Sequence, residues 1–335
     1  MTTSEDLRDG GALPEHEGVE FGVWRPERGL KAKVRRGAVI LHSSTWPRRL
    51  IPTRVAYPLI QAFGAHCQRR RNGMWEDNLK YHRQLWQYTP LLDQADDIAR
   101  RAIVEYFECV EIFWRPWLAD RGTVEGMHHY REALAANRGV VLAFPHFGIP
   151  HAQFPIMRRF GIDAWVIASA HHFTDQGTGY DGRFARHSKT KYLDALGPDR
   201  AIARERTSDG PSVFERAHDL LRGGATVIVA FDVTGSLPTP FLGRQVSLAS
   251  GSAKLARGSD ALVVPFVIRR HRQYPILRFG EAIDPRDFDD PVALQAAIAG
   301  VVERWALEEP WAVWSLHTQP GGPPLIQGPQ LAEVA

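Results

Sequence analysis

The stretch of sequence that decides the fold of this chain is Gly139-Val-Val-Leu-Ala-Phe-Pro-His-Phe-Gly-Ile-Pro-His-Ala-Gln-Phe-Pro-Ile-Met-Arg-Arg-Phe160. Its apolar run, Val140–Phe144, follows a glycine and precedes a proline, which is typical of a strand buried on both faces of a parallel sheet. Pro150 suits the first turn of a following helix, because a proline there loses no hydrogen bond. His146 is therefore predicted at the carboxyl end of a buried strand, where open α/β sheets bind ligands. The alternative is a histidine that serves only as a turn residue.

The composition is that of a folded globular protein. Of the 335 residues, 44% are hydrophobic and 24% are charged. The first twenty residues are acidic and the last sixteen are rich in proline and glycine. We therefore predict disordered tails at residues 1–20 and 319–335, on either side of a single domain over residues 21–318.

Apolar periodicity predicts the elements of that domain. Helices are expected within residues 75–120, then at 124–137, 213–221 and 291–307, and strands at 164–170, 226–231, 261–268 and 275–279. Residues 173–206 are polar and basic, which is typical of a mobile loop with a helix that covers the sheet edge. The fold class that follows is α/β, with a mostly parallel central sheet, helices on both sides and an N-terminal helical subdomain at about residues 50–120.

Cysteine content and hydropathy indicate the compartment. The two cysteines, Cys67 and Cys109, form no CxxC pair, which excludes a disulfide framework and a thiolate zinc site and suits a reducing cytosol. No stretch approaches the roughly 18 apolar residues of a membrane span, so we expect a cytoplasmic protein that needs no detergent. The most apolar early piece, residues 50–65, is interrupted by two prolines and an arginine. It predicts at most a short amphipathic segment, and peripheral contact with the inner face of the membrane stays open.

Positive charge is concentrated near the N-terminus. The net charge is only +3, but residues 25–71 hold many arginines and few acidic residues. Such a stretch suits a partner that carries phosphates or a negative surface, although a solvated arginine-rich face explains it equally well. DNA is not expected as a partner.

Several motifs of other enzyme classes are missing from the sequence. It contains no GxSxG, GxxxxGK or HExxH, and no GxGxxG directly after a strand, so serine hydrolases, nucleotide hydrolases, zinc proteases and dinucleotide enzymes lack support. Two histidines five residues apart, His146 and His151, lie roughly 140° apart on a continuous helix, so they bind one metal only if His146 lies in a loop. No metal or cofactor is predicted.

Five features occur in the order found in the bacterial lysophospholipid acyltransferase superfamily. They are amphipathic N-terminal helices, the strand leading into His146-Phe-Gly, the strand ending at Asp232, the Phe241-Leu-Gly turn with a helix start at Gly251, and the Pro310-Trp-x-x-Trp314 ending. On these features the chain resembles that superfamily, in particular its lipid A and phosphatidylinositol mannoside acyltransferase branch. The resemblance covers about residues 50–318 and implies an α/β sheet and acyl transfer.

The resemblance also implies roles for individual residues. In the family, a histidine followed five residues later by Asp or Glu supplies a general base and its orienting carboxylate. Here His146 is the base and His151 occupies the carboxylate position, so both are predicted catalytic residues. The predicted substrate-binding residues are Asp232, Arg244, Gly251, Ser252 and Arg269. Among these, an arginine or the backbone N–H groups near Gly251 would stabilise the tetrahedral charge, with Ser250 or Ser252 as helix cap.

The expected function is transfer of an acyl group from an activated donor to an amine or hydroxyl. Donor candidates are acyl-CoA, acyl carrier protein and aminoacyl-tRNA, all of which are anionic. A glycolipid or phospholipid acyltransferase and a non-catalytic relative that binds a lipid or partner are the alternatives. Because His151 brings no negative charge, His146 is expected to be a weak base unless Asp232 or another acid lies beside it. A weak base favours a nitrogen acceptor, such as an amine or hydroxylamine.

Overall fold

The computed structural model describes residues 46–69, 73–148, 152–168, 194–203 and 212–313. Its helices are α1 (Trp46–Leu50), α2 (Thr53–Arg69), α3 (Gly73–Leu85), α4 (Ala95–Trp114), α5 (Met127–Ala135), α6 (Gln153–Arg159), α7 (Asp194–Leu196), α8 (Val213–Arg222), α9 (Gly251–Ser259) and α10 (Pro291–Glu308). Its strands are β1 (Thr123–Glu125), β2 (Val140–Phe144), β3 (Trp165–Ala168), β4 (Ala201–Ala203), β5 (Thr226–Ala230), β6 (Thr234–Phe241), β7 (Arg244–Leu248), β8 (Leu262–His271) and β9 (Tyr274–Phe279). Short 3-10 turns lie at Leu92–Gln94, Pro116–Arg121, Pro198–Arg200, Pro285–Asp287 and Pro310–Ala312.

Seven of the strands form one sheet in the order β1-β9-β8-β2-β5-β3-β4. Every neighbouring pair is parallel except β8 and β9, which are antiparallel. The other two strands, β6 and β7, form a separate antiparallel hairpin. The predicted α/β class, with a mostly parallel central sheet and helices on both sides, is confirmed.

The central strand β2 is buried along its whole length, as predicted from its continuous apolar run. Because side chains alternate along a strand, Val141 and Ala143 join one hydrophobic cluster with residues of α8, α9 and α10. Val140, Leu142 and Phe144 point the other way and join a second cluster with residues of α5 and α6. A strand with two apolar faces therefore lies between two helical layers.

The N-terminal helices form a layer beside the first cluster. Tyr81, Leu85 and Trp86, at the end of α3 and just after it, are part of that cluster. The preceding helix, α2, packs on α4, and its Gly64 lies so close that an added Cβ would be 3.0 Å from the Cα of Val104. Helix α2 thus contacts α4 and, through Tyr57 and Arg270, the end of β8. No helix in the described part of the chain is long and apolar enough to cross a membrane.

Several elements differ from the predictions. The helix expected at 124–137 is a short strand followed by α5, because Gly126 breaks it with a φ of +67°. The β6–β7 hairpin was not predicted, since β6 contains two prolines and a glycine, which hairpin edge strands tolerate. Third, α2 continues through Pro58 for 17 residues, so it is longer than the interrupted segment expected there. Within the segment 173–206, the short helix α7 is followed by β4, an edge strand of the sheet that was not predicted. Both predicted tails, and residues 173–193 and 204–206 of that segment, lie outside the described ranges.

Candidate active site

Strand register places two polar side chains opposite each other at the carboxyl edge of the sheet. In the parallel pairing of β2 with β5, Phe144 lies opposite Ala230. The pairing continues one step further, because the N–H of Phe231 donates to the carbonyl of Phe144 at 3.1 Å. His146 lies two residues after Phe144, and Asp232 lies two residues after Ala230. The same register therefore brings His146 and Asp232 together.

The carboxylate of Asp232 accepts two hydrogen bonds from His146. Its Oδ1 lies 2.7 Å from the ring atom Nδ1, and its Oδ2 accepts from the backbone N–H at 2.6 Å. Asp232 is 2% exposed, whereas the imidazole is 32% exposed. Since a carboxylate only accepts, the neutral ring bound to it carries its proton on Nδ1 and keeps a lone pair on Nε2. This tautomer is the one that a general base requires.

The surroundings of His146 act on its pKa in opposite directions. Burial lowers the pKa of the imidazole, because a charged ring loses its solvation. The charge of Asp232 and the hydrogen bond to it both raise that pKa, and together they outweigh burial. The net pKa of His146 lies above its ordinary value of 6.5. Asp232 therefore stabilises the imidazolium that forms when the ring accepts a proton.

Backbone contacts on both sides hold the loop that carries His146. Gly148 pairs with Ile268 of β8, and its N–H donates to the carbonyl of Ala312 at 2.9 Å. Its φ is +60°, and an added Cβ would collide with the carbonyl oxygen of Ile268. Only glycine fits this position, because the left-handed φ and the close carbonyl both exclude a side chain.

Tyr81 of α3 connects the helical layer to the same place. Its hydroxyl donates to the carbonyl of Val313 at 2.9 Å, one residue after the carbonyl that holds Gly148. Burial raises the pKa of the Tyr81 phenol far above its ordinary value, and the nearby charge of Asp232 raises it further. The phenol therefore stays neutral, and it closes the site on the side of the helical layer.

The two predicted arginines are held by other groups. Arg269 follows Ile268 on β8, and its guanidinium donates to Glu309 at 2.9 Å and to Glu125 at 3.0 Å. Arg244 is 4% exposed, donates to the carbonyl of Gln84 and stacks on the Tyr88 ring. Arg269 thus lies beside the His146 loop and is held there by two ion pairs. The described contacts of Arg244 connect the β6–β7 hairpin to the N-terminal helical layer.

The predicted helix start at Gly251 is present, but the predicted cap is wrong. Ser250 occupies the N-cap of α9 without a side-chain hydrogen bond, and the buried Ser252 donates to Gln295 of α10 at 3.1 Å. Ser252 therefore joins two helices rather than binding an anion. Gly251 lies against β5, since a Cβ there would be 3.4 Å from Val229. The start of α9 is thus close to β5, the strand that leads to Asp232.

The exception stated for a weak base at His146 applies, because Asp232 lies beside the ring. His151 lies outside the described residues, so its predicted catalytic role stays a prediction. The contribution of Tyr81 and of the turn at 310–313 was not predicted, since it depends on packing between elements more than 200 residues apart in sequence. Over the described ranges, His, Cys, Asp and Glu nowhere gather in a group of three that could hold a metal ion.

Comparisons with known proteins give matches among solved structures. No protein-family model matches the chain, and no curated protein matches it either. A similar solved structure is that of the 1-acyl-sn-glycerophosphate (LPA) acyltransferase PlsC from Thermotoga maritima. It shares 19% identity with this chain at a TM-score of 0.38, over 82% of this chain and 96% of that one. A likeness at this level carries no information about the reaction.

Proposed function

We propose that this protein is an acyltransferase in which His146 is the general base and Asp232 orients it. The single observation that carries this proposal is the 2.7 Å contact between Nδ1 of His146 and a buried carboxylate oxygen. The contact fixes the tautomer of the ring and supplies the negative charge that an imidazolium needs. The partly exposed ring lies at the carboxyl edge of a parallel sheet, the usual position for a substrate.

In the proposed reaction, Nε2 of His146 removes a proton from the acceptor as its N or O atom attacks the acyl carbonyl of the donor. A bond forms between the acceptor atom and the acyl carbon, and the donor's thiolate or ribose oxygen leaves with the bonding electron pair. The imidazolium then returns its proton to the leaving group. Backbone N–H groups at the start of α9, near Gly251, are the proposed stabilisers of the tetrahedral oxyanion. In this proposal His151 keeps its predicted role as a second catalytic residue.

The proposed acceptor includes hydroxyls as well as amines. A nitrogen acceptor was favoured on the condition that no acid lies beside His146. With Asp232 in that position, the base is strong enough in principle for a sugar or glycerol hydroxyl. An acyl-CoA or acyl carrier protein is the leading donor, and an aminoacyl-tRNA is the second candidate.

Intact mass analysis of products would test the proposal. The purified protein is offered panels of acyl thioesters and charged tRNA with amine, hydroxylamine and hydroxyl acceptors. We expect one combination to give an acylated product, and His146→Ala to reduce its formation by roughly 10²-fold or more. His271→Ala, which alters an exposed histidine at the end of β8, is the matched control and should keep full activity. Equal activity in all three proteins would remove the base assignment, and any turnover that depends on His146 would dismiss a non-catalytic relative.

Salt dependence separates the two kinds of donor. A tRNA bound by several arginines should lose affinity steeply with salt, by roughly 0.7 to 0.9 in log affinity per phosphate contact for each unit of log salt. Within the basic stretch, Arg48 is already paired with Glu111 at 3.0 Å, whereas Arg49 and Arg54 are exposed. A donor affinity that hardly changes between low and physiological salt would favour a small thioester.

A further inference from the structure

The turn that follows α10 holds the loop of His146 through a backbone hydrogen bond. The N–H of Gly148 in this loop donates to the carbonyl of Ala312 at 2.9 Å. The N–H of Ala312 donates in turn to the carbonyl of Glu309 at 2.9 Å, which closes the turn. On its other side, Gly148 pairs with Ile268 of β8. The position of the loop therefore depends on where Glu309 lies relative to β8.

Arg269 connects Glu309 to β8. It is the residue after Ile268, and its guanidinium donates to the carboxylate of Glu309 at 2.9 Å and to that of Glu125 at 3.0 Å. Each carboxylate takes one terminal nitrogen, and no described residue accepts from the buried Nε. Because a buried donor without an acceptor is costly, the two carboxylates determine the orientation of this side chain. Through Arg269, the turn is tied back to the strand with which Gly148 pairs.

The two ion pairs of Arg269 lead to different parts of the fold. Glu125 ends β1, the edge strand, which is separated from β2 by β9 and β8. Its side chain is 42% exposed, whereas that of Glu309 is 25% exposed. Burial raises the pKa of the Glu309 carboxyl by more than the charge of Arg269 lowers it. Glu309 therefore needs its counter-ion more than Glu125 does, and only Glu309 belongs to the turn that holds the loop.

We propose that Arg269 and Glu309 are positioning residues, which hold the imidazole of His146 against Asp232 through the turn after α10. The inference rests on the proposed function, because the two residues position a base only if His146 acts as one. Neither residue has to touch the substrate. Without the ion pair, the turn and the loop bound to it shift away from β8, and the 2.7 Å contact between His146 and Asp232 lengthens. A misplacement of about 1 Å can cost roughly 10²-fold in rate.

Two matched variants each remove one ion pair of the same arginine. Glu309→Met and Glu125→Met replace a carboxylate with an unbranched apolar side chain of similar length. We expect Glu309→Met to lower kcat by roughly 10- to 100-fold and to leave KM within about twofold, because positioning is lost and binding is kept. Glu125→Met should keep kcat within about twofold of the wild type. Glu309→Gln, whose amide oxygen can still accept from Arg269, should recover most of the lost rate.

NMR titration of the His146 imidazole tests the inference without a substrate. The contact with Asp232 raises the pKa of this ring and burial lowers it. Glu309→Met weakens the contact, so the pKa should fall towards or below its ordinary value of 6.5. Glu125→Met should leave it unchanged. His146→Ala assigns the resonance, and circular dichroism shows whether each variant folds.

The outcomes separate this proposal from the proposed function. Equal losses of kcat in Glu309→Met and Glu125→Met, or an unchanged imidazole pKa in Glu309→Met, would overturn the positioning role. A wild type without any turnover would contradict the proposed function, and the titration would still decide whether the ion pair positions the ring. If Glu309→Met does not fold, Glu309→Gln and Arg269→Gln replace it. The first should then keep the wild-type imidazole pKa and the second should lower it, and equal values would overturn the proposal.

Discussion

His146 and Asp232 are joined by two hydrogen bonds, one from the ring at 2.7 Å and one from the backbone at 2.6 Å. The second bond fixes the carboxylate relative to the main chain of the histidine, so the pair behaves as one unit. Its geometry comes from the parallel pairing of β2 with β5, which is the most buried part of the sheet. The catalytic pair that we propose is therefore built on rigid elements.

Replacement of Asp232 with Asn should lower the pKa of His146. The variant keeps the burial that lowers this pKa and loses the charge that raises it. The ring would then lose its proton at a lower pH, so the acidic limb of the pH–rate profile moves to lower pH while the maximal rate falls roughly 10²- to 10⁴-fold. NMR titration of the imidazole measures the same shift without a substrate. An unchanged or raised pKa would contradict the assigned partnership.

The same pair predicts a pH dependence of stability. The pKa of His146 is higher in the folded state than in the unfolded state. The ion pair with Asp232 therefore stabilises the fold fully below about pH 6.5, and this stabilisation is lost as pH rises through the folded-state pKa. Asp232→Asn should therefore cost more unfolding free energy at pH 6 than at pH 9. Urea denaturation at the two pH values measures the difference. Equal losses would show that the charge of Asp232 is not involved.

Tyr81→Phe should disturb the site through the turn at 310–313. The variant leaves the carbonyl of Val313 without its donor, which costs about 1 to 2 kcal/mol of unfolding free energy. Tyr130→Phe is the matched control, because the Tyr130 hydroxyl makes a buried hydrogen bond of 3.0 Å with Thr226 instead. We expect comparable losses of stability, but a rate reduced several-fold only in the Tyr81 variant. Equal rates in the two variants would confine Tyr81 to a packing role.

Gly148→Ala should damage both the fold and the loop of His146. The added methyl group meets the Ile268 carbonyl at a positive φ, so we expect a loss of about 3 kcal/mol or more in unfolding free energy. Gly300→Ala is the control, since this glycine of α10 has no atom within 4 Å of its Cβ position. That variant should gain about 0.5 to 1 kcal/mol. Denaturation curves distinguish the two, and a neutral Gly148→Ala would show that the loop is not held as described.

The sequence was sufficient to predict elements whose pattern is local. The strands β2, β5 and β8 are continuous apolar runs because helices cover both of their faces, and each was predicted within a few residues. The position of His146 followed from one such run and the proline after it. Strand β6 was missed because Pro238 and Pro240 are compatible with a hairpin edge but contradict the usual strand pattern.

The partnership of His146 with Asp232 could be named from the sequence only as one possibility, because it depends on strand order. The 81 residues between β2 and β5 (Pro145 to Ala225) contain α6, β3, β4 and α8, so nothing local shows that the two strands are neighbours. The sequence does show a polar residue two positions after each strand, His146 after β2 and Asp232 after β5. It does not show which of the predicted strands are adjacent in the sheet. Contacts such as Tyr81 with Val313 depend on tertiary packing alone.

Arg270 is the centre of a buried charged cluster that links three elements. Its guanidinium donates to Glu105 and Glu108 of α4 and to the hydroxyl of Tyr57 of α2. The three charged side chains are only 4% to 7% exposed. Burial lowers the pKa of Arg270, whereas the two carboxylates raise it by more. The pKa of Arg270 therefore lies above its ordinary value, and the guanidinium stays charged. The cluster fixes the helical layer to the end of β8.

Arg270→Met should therefore be strongly destabilising at neutral pH. Two buried carboxylates would lose their counter-ion, at a cost of about 3 to 5 kcal/mol in unfolding free energy. In this variant burial and mutual repulsion raise the carboxyl pKa values in the folded state above their unfolded values. The folded state then binds more protons than the unfolded state, so stability should rise as pH falls from 7 towards 5. Urea denaturation across this range measures the slope.

Two further variants make the test of this cluster specific. Arg278→Met removes a surface pair with Glu308, which is 50% exposed, and should cost less than about 1 kcal/mol with no such pH dependence. Adding Glu105→Gln and Glu108→Gln to Arg270→Met removes the stranded charges, so stability at pH 7 should partly recover and the pH slope should vanish. If the triple variant is as unstable as Arg270→Met and keeps its slope, the loss comes from packing of the arginine rather than from unpaired carboxylates.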